Sequence, residues 1–339
     1  MPRQVMKTLY AKRVKFKPGR TKGFVGAPID ELLLEILNKA PTWSKRHWPP
    51  PPAAPNVIGP GVACSFISRI APRTHGDQKG VYFEVGTYTN GHAPDQMALD
   101  FLAAEPDITT ARVRDDTGQT REIVIRCRCV ALGETVIIEN VRGSGGVHAV
   151  QRLLSKLLQS YCLYGPQQRR YPTVEFIDVM SGDLRQAILQ GDGVEKVTLR
   201  LVDGAQPDED AWLHPLRQGK DRFGNAAVFT GTWEAAGDDV LNTDDVITAA
   251  EERDVDDTDL DAIVIHLKDG NRITALGSYK ARHEVYVTVD DAGVTHYSEL
   301  IEGLWSYLDS LRRPKNNWRL LNDDGKFTTD EEVQLVPQP

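Results

Sequence analysis

His266 and Lys268 stand two residues apart, and Arg272 follows across the dipeptide Asp269-Gly270. At strand spacing, residues i and i+2 share one face, so His266 and Lys268 point the same way, with Arg272 just across the turn. Lys280, Arg282 and His283 come shortly after. A pleated surface carrying cations at such spacing meets phosphates by position and releases condensed counterions, without reading base edges. The other reading is a solvated strand face paired with acids elsewhere in the chain. A second basic set, Lys7, Lys12, Arg13, Lys15, Lys17, Arg20 and Lys22, lies near the N-terminus, where Arg3 to Lys22 holds eight basic residues and no acid. Basic arms of this kind bind nucleic acid, although acids of the chain itself are alternative partners.

Other constellations carry less chemistry. Gly143-Ser144-Gly145-Gly146 opens onto a helix and could cradle a phosphate, but the lysine-serine pair of a P-loop and the spaced dinucleotide glycines are missing. A strand-to-helix joint accounts for it. The acidic cluster Asp254, Asp256, Asp257, Asp259 and Asp261 fails as a calcium loop, because Ala262 stands where the turn glycine belongs and Lys268 where the bidentate glutamate belongs. Asp261 ahead of His266-Leu267-Lys268 loosely matches a metal-nuclease acid followed by acid-x-lysine, yet a histidine replaces the second carboxylate. Hydrolase, zinc-protease and kinase motifs are missing. The eight histidines are scattered, with no i,i+4 pair. These observations lead to the expectation of a non-catalytic chain with no cofactor and no metal.

Length and charge set the frame. The chain has 339 residues and a formal net charge of -8. Its apolar content of 40% suffices for packed cores. No run of 18 apolar residues occurs, and the basic N-terminus lacks the apolar stretch of a secretory signal. The four cysteines, Cys64, Cys127, Cys129 and Cys162, have no zinc or redox spacing, so reduced thiols and a cytoplasmic location are expected. The charge is polarised. Residues 1–60 hold 11 Lys/Arg and 3 Asp/Glu, whereas residues 203–261 hold 17 Asp/Glu and 4 Lys/Arg. Such asymmetry implies an electrostatic partner, or contact between the two segments.

The elements that must position these residues follow from periodicity. Leu9–Phe16 reads as a strand, and Ile29, Leu32, Leu33, Ile36 and Leu37 form one helix stripe. Seven prolines between Pro41 and Pro60 predict a stiff exposed connector. Strand-like runs at Val62–Ile70 and Val81–Tyr88 precede a short helix near Asp95–Ala103. Glu122–Val130 and Thr135–Val141 form a hairpin, and a strong amphipathic helix runs from Val147 to Tyr161. A strand (Thr173–Val179), a helix from Ser181 and a strand (Val194–Val202) follow. The stretch 203–260 reads as an acidic linker apart from a strand at Ala226–Trp233. Ala262–Lys268 and Arg272–Leu276 make a hairpin on Asp269-Gly270, and Val285–Val289 with Val294–Tyr297 make another. A helix over Tyr297–Leu311 closes the pattern. The fold expected is α+β and two-domain, with mixed sheets and packed amphipathic helices. Its divisions are a globular domain over 1–202 with a proline-rich insertion at 41–60, an acidic linker at 203–260, hairpins plus helix at 261–315, and a solvated tail at 316–339.

The order of these blocks resembles the RexA-type phage exclusion proteins. Three blocks carry the resemblance. Ala131–Ile137 runs into the helix Val147–Leu158. Val174–Asp178 is followed by Leu184–Leu189 and Val194–Leu201. Leu260–Lys268 continues through Asp269-Gly270 and Ile273–Ala275 to the helix Tyr297–Leu311. The resemblance implies a homodimer that binds double-stranded DNA with little sequence preference, senses infection and signals to an integral-membrane effector of the RexB kind. The family's basic pair falls at His266 and Lys268, and His266 replaces an arginine-like residue. The DNA-contact candidates are therefore His266, Lys268, Arg272, Lys280, Arg282, Lys12, Arg13, Lys15 and Lys17. The alternative functions are a metal-dependent nuclease or toxin using Asp261 and Lys268, and an interaction protein whose basic arm docks on the acidic segment of a second subunit.

Overall fold

The computed structural model describes residues 3–17, 24, 26–51, 58–73, 79–97, 108–111, 113–141, 146–202, 228–252, 260–274, 279–291, 295–313 and 319–328. In chain order its elements are β1 (Arg3–Phe16), α1 (Ile29–Lys39), β2 (His47–Trp48), β3 (Ala63–Pro72), β4 (Val81–Thr89), β5 (Asp95–Met97), β6 (Ile108–Thr110), β7 (Ile125–Leu132), β8 (Thr135–Glu139), α2 (Gly146–Tyr161), β9 (Leu163–Tyr164) and β10 (Arg169–Arg170). They continue with β11 (Val174–Asp178), α3 (Gly182–Gln190), β12 (Val194–Val202), β13 (Val228–Glu234), α4 (Thr243–Glu252), β14 (Leu260–Leu267), β15 (Arg272–Ile273), β16 (Arg282–Val289) and α5 (Tyr297–Arg312). The fold is α+β, as the mixed periodicities require. Two compact units form. The first gathers Met1–Lys15, Glu134–Ile137 and Glu175–Pro339; the second gathers Phe16–Gly133 and Ile138–Val174.

In the second unit the antiparallel strands run β7-β4-β3-β2. The apolar stripes of α1 (Ile29, Leu32, Leu33, Ile36) and α2 (Val150, Leu153, Leu154, Leu157, Leu158) are buried, and the two helices pack on each other and on β3. The 3.6-residue period leaves each helix one face to bury, and this is where its stability comes from. The segment after α1 is not a wholly exposed connector. Arg46 is 5% exposed, and its guanidinium donates to the carbonyls of Ile67, Ala40 and Pro41. His47 pairs with Phe66 in the β2–β3 ladder. Residues 95–97 form a strand paired with β6 where a helix was expected, and residues 98–107 lie outside the described residues.

The first unit contains the N-terminal strand. Leu9, Ala11 and Val14 are buried at alternating or near-alternating positions, and β1 lies between β11 and β8 while its Arg3–Tyr10 half pairs with β16. The strand expected at Leu9–Phe16 is present as part of β1, and this basic segment is an interior strand of the sheet. Lys12 pairs with the Asp178 carboxylate, which Lys280 also reaches at 2.8 Å. Arg13 pairs with Glu251 at 3.2 Å and lies over the Phe327 ring, 3.9 Å from its centroid. Contact between the basic and acidic segments was one reading of the charge asymmetry, and Arg13–Glu251 is such a contact.

A second sheet of this unit has the order β13-β12-β14-β15. Its inner face carries Val197, Leu199, Ile263, Ile265 and Ile273 and packs with Leu184, Ile188, Val246, Ala249 and Ala250 of α3 and α4. This arrangement differs from the divisions expected. The acidic stretch is not a linker throughout, because α4 contributes to the core, and β12 and β14 pair across it in one sheet. Asn242 starts α4 by accepting the N–H groups of Asp244 and Asp245, and acids in the first turn suit the positive helix end. The tail is also partly built in. Leu321 is fully buried, and the Gly325 carbonyl accepts from Glu134 N–H and the Thr135 hydroxyl. No helix among the described residues is long and apolar enough to cross a membrane.

Asp178, 7% exposed, ties β11 to β1 and to the segment before β16. Burial by itself raises its pKa, but Lys12 and Lys280 outweigh this and hold it below the ordinary carboxylate value. A depressed folded pKa gives stability that is present above the unfolded value and lost as pH falls through the folded one. Asp178→Asn leaves both cations without their carboxylate and should cost about 3 kcal/mol in urea unfolding at pH 7. The difference between wild type and variant should shrink as the pH is lowered below about 4.

Candidate nucleic-acid interface

The outer face of the four-stranded sheet carries the candidate site. In β12 the buried residues are Val194, Val197 and Leu199, so Lys196, Thr198 and Arg200 point outward. In β14 the buried residues are Ile263, Ile265 and Leu267, which turns Val264 and His266 outward. Register then decides the neighbours. Lys196 pairs with Glu234 of β13 on one side and His266 of β14 on the other, and His266 pairs with Arg272 of β15. Glu234, Lys196, His266 and Arg272 thus form one row across four strands, at an inter-strand spacing of about 4.8 Å. The tight turn between β14 and β15 uses Gly270 at φ 87°, and Asp269 accepts the Asn271 N–H. This is the Asp-Gly turn expected, and positive φ explains the glycine.

The electrostatics of the row are graded. Lys196 reaches the Glu234 carboxylate at 3.2 Å, a half-exposed pair open to solvent screening. Arg272 is exposed and makes no ion pair among the described residues. His266 is half-buried between these cations. Its pKa lies below the ordinary value, first because of burial and then because of Arg272 and Lys196. The neutral imidazole is therefore favoured, and the group has charge in reserve. Lys268 stands just past the end of β14, exposed, and its ammonium donates to the Asp238 carbonyl.

The structure brings together only part of the expected set. His266, Lys268 and Arg272 share this sheet. Lys12, Arg13 and Lys280 are committed to ion pairs inside the unit, so the expectation of contacts from them is redirected to a structural role. Lys15 and Lys17 lie at the end of β1, half-buried, and the Lys17 N–H donates to the Thr173 carbonyl. Arg282 opens β16, exposed, on the other sheet. Lys196 and Arg200 were missed, although the alternation of Val194–Leu201 already placed them on one face. What was missing was the knowledge that β12 lies beside β14, on the side opposite β15.

The remaining motifs add no site. Residues 143–145 of the glycine loop and residues 253–259 of the acidic cluster lie outside the described residues, as does the Asp261 side chain. Among the described residues no group of three His, Cys, Asp or Glu side chains is placed to hold a metal ion. No protein-family model matches the chain, and no curated protein matches it.

The row makes a direct prediction about protonation. By NMR, the His266 imidazole should titrate with a midpoint below 6.5, the value used for an unperturbed histidine. In Arg272→Ala the midpoint should move upward, because a facing positive charge no longer opposes the imidazolium. An unchanged midpoint would mean that Arg272 does not contribute and that burial and Lys196 set it.

Proposed function

We propose that this chain is a non-catalytic protein that binds double-stranded DNA with little sequence preference, through the outer face of the β13-β12-β14-β15 sheet. The observation that carries the proposal is the in-register row Lys196–His266–Arg272, with Lys268 beside it and Arg200 farther along β12. Cations fixed on a pleated surface contact backbone phosphates, which supply affinity without sequence information. Phosphates beside His266 favour its imidazolium, so the site gains a charge as DNA arrives. The wider reading, a homodimeric phage-exclusion protein signalling to an integral-membrane effector, is supported by the order of the three resembling blocks.

Fluorescence anisotropy with a short random duplex tests the binding. Affinity should be micromolar or weaker at physiological salt and should fall steeply as salt rises. Lys196→Ala with Arg272→Ala should flatten the salt dependence by roughly one unit of log-log slope per lost contact. Lowering the pH from 7 to 6 should tighten binding in the wild type and not in His266→Ala. No binding at low salt, or binding indifferent to these changes, would reject the interface. Plasmid incubated with Mg²⁺ or Mn²⁺ should stay intact. Cleavage abolished by EDTA and by Asp261→Ala would replace the reading with a nuclease.

A further inference from the structure

A cleft of about 630 Å³ opens in the first unit, away from the cationic row, and none of the functions discussed so far uses it. Its size is that of a small-molecule site, which lies between roughly 300 and 1,000 Å³. Three segments build it. The chain from Tyr279 runs beside the end of β11, with Ser181 N–H donating to the Tyr279 carbonyl and Ala281 N–H to the Val179 carbonyl. This places Lys280 and Arg282 against the start of α3. The last turn of α5 and its cap residue Arg313 form the opposite wall.

The lining is bipolar in chemistry. Arg185, Lys280, Arg282 and Arg313 all border the cleft, against a single carboxylate, Asp183. Arg185 is held by Asp244 and Lys280 by Asp178, so those two cations are fixed in place with part of their charge offset. Arg282 and Arg313 are exposed and form no ion pair among the described residues. The start of α3 adds main-chain donors. Its cap residue Ser181 borders the cleft and makes no side-chain capping bond, and its hydroxyl is buried without a partner among the described residues. The other lining is apolar: Leu189, which is 67% exposed, with Leu311, Leu320 and the Tyr307 ring.

We propose that this cleft binds a phosphorylated small molecule of nucleotide size. Its phosphate lies between Arg282 and Arg313 at the α3 start, and its planar or apolar body lies on the leucine wall. Cations that border one cleft bind phosphate through charge-assisted hydrogen bonds. The leucines have no function toward a bare anion, but they bury the face of a base. Asp183 disfavours a ligand that is anionic throughout and accepts from a hydroxyl, which a sugar supplies. A duplex phosphate backbone, charged along its whole length and lacking an accessible base face, fits the cleft poorly.

Isothermal titration of the full chain at low salt with the four ribonucleoside 5′-monophosphates tests this, with adenosine and inorganic phosphate as separate probes. At least one monophosphate should bind more tightly than inorganic phosphate, and adenosine should bind more weakly than its monophosphate. Arg282→Ala with Arg313→Ala should weaken the best monophosphate by roughly tenfold or more, the loss of one or two charge-assisted bonds. Both residues are exposed, so the fold should be retained. Leu189→Glu, on the exposed flank of α3, should weaken binding independently. Arg272→Ala should leave it unchanged, which separates this cleft from the cationic row. The proposal is overturned if no monophosphate binds at millimolar concentration, if inorganic phosphate binds as well as every nucleotide, or if the double variant binds like wild type.

Discussion

The register of β12 against β14 is the constraint on which the candidate interface depends. Side chains alternate across a strand with period two, so a slip of one residue would exchange the two faces. Lys196 would then enter the core beside α3 and α4, and Val197 would face water. The row Val197–Ile265–Ile273 holds the register from below, since each member is buried. Burying three such side chains contributes on the order of several kcal/mol, far more than any exposed ion pair above them. The apolar row therefore positions the cationic one. Lys196, His266 and Arg272 lie together because their sequence neighbours are buried together.

Charge in this chain does two different jobs. The overall balance of -8 suggests an acidic protein, yet part of the polarisation behind it is consumed internally. Lys12 and Lys280 share Asp178, Arg13 takes Glu251, and Arg185 takes Asp244. Each joins segments far apart in sequence within the first unit. Asp178 and Glu251 are buried, so removing either carboxylate costs more than losing an exposed pair, whereas Asp244, 36% exposed, is partly screened by solvent. The outer face of the second sheet is different. There Glu234 lies at the edge of the row and solvent screens its pairing with Lys196. A ligand phosphate can compete with such a partner but not with a buried one.

The sequence made the elements more legible than their neighbours. The helices α1, α2 and α5 follow from apolar stripes at 3.6-residue spacing, and β12 and the Asp269-Gly270 turn from strand alternation and turn chemistry. The helix α4 was hidden because Asp244, Asp245, Glu251 and Glu252 make the segment look solvated. Its stripe of Val246, Ala249 and Ala250, with Asn242 as cap, was present but narrow. The roles of the basic residues were not legible at all from local sequence. Lys12 and Arg13 look like a DNA-binding arm until the fold places Asp178 and Glu251 beside them. Conversely, Lys196 carries no signal until β12 is known to lie next to β14. Pairing between distant strands is a property of the whole unit, and a local pattern leaves it open.

The central claim is that the four-stranded sheet presents its cations outward to a DNA backbone, while the N-terminal strand commits Lys12 and Arg13 to internal ion pairs. Lysine acetylation footprinting with and without a short random duplex, read by mass spectrometry at low salt, tests it most directly. The account predicts that the duplex protects Lys196 and Lys268 while Lys12 stays slow to react in both states. Protection absent from the sheet, or centred on the N-terminal strand, would contradict it.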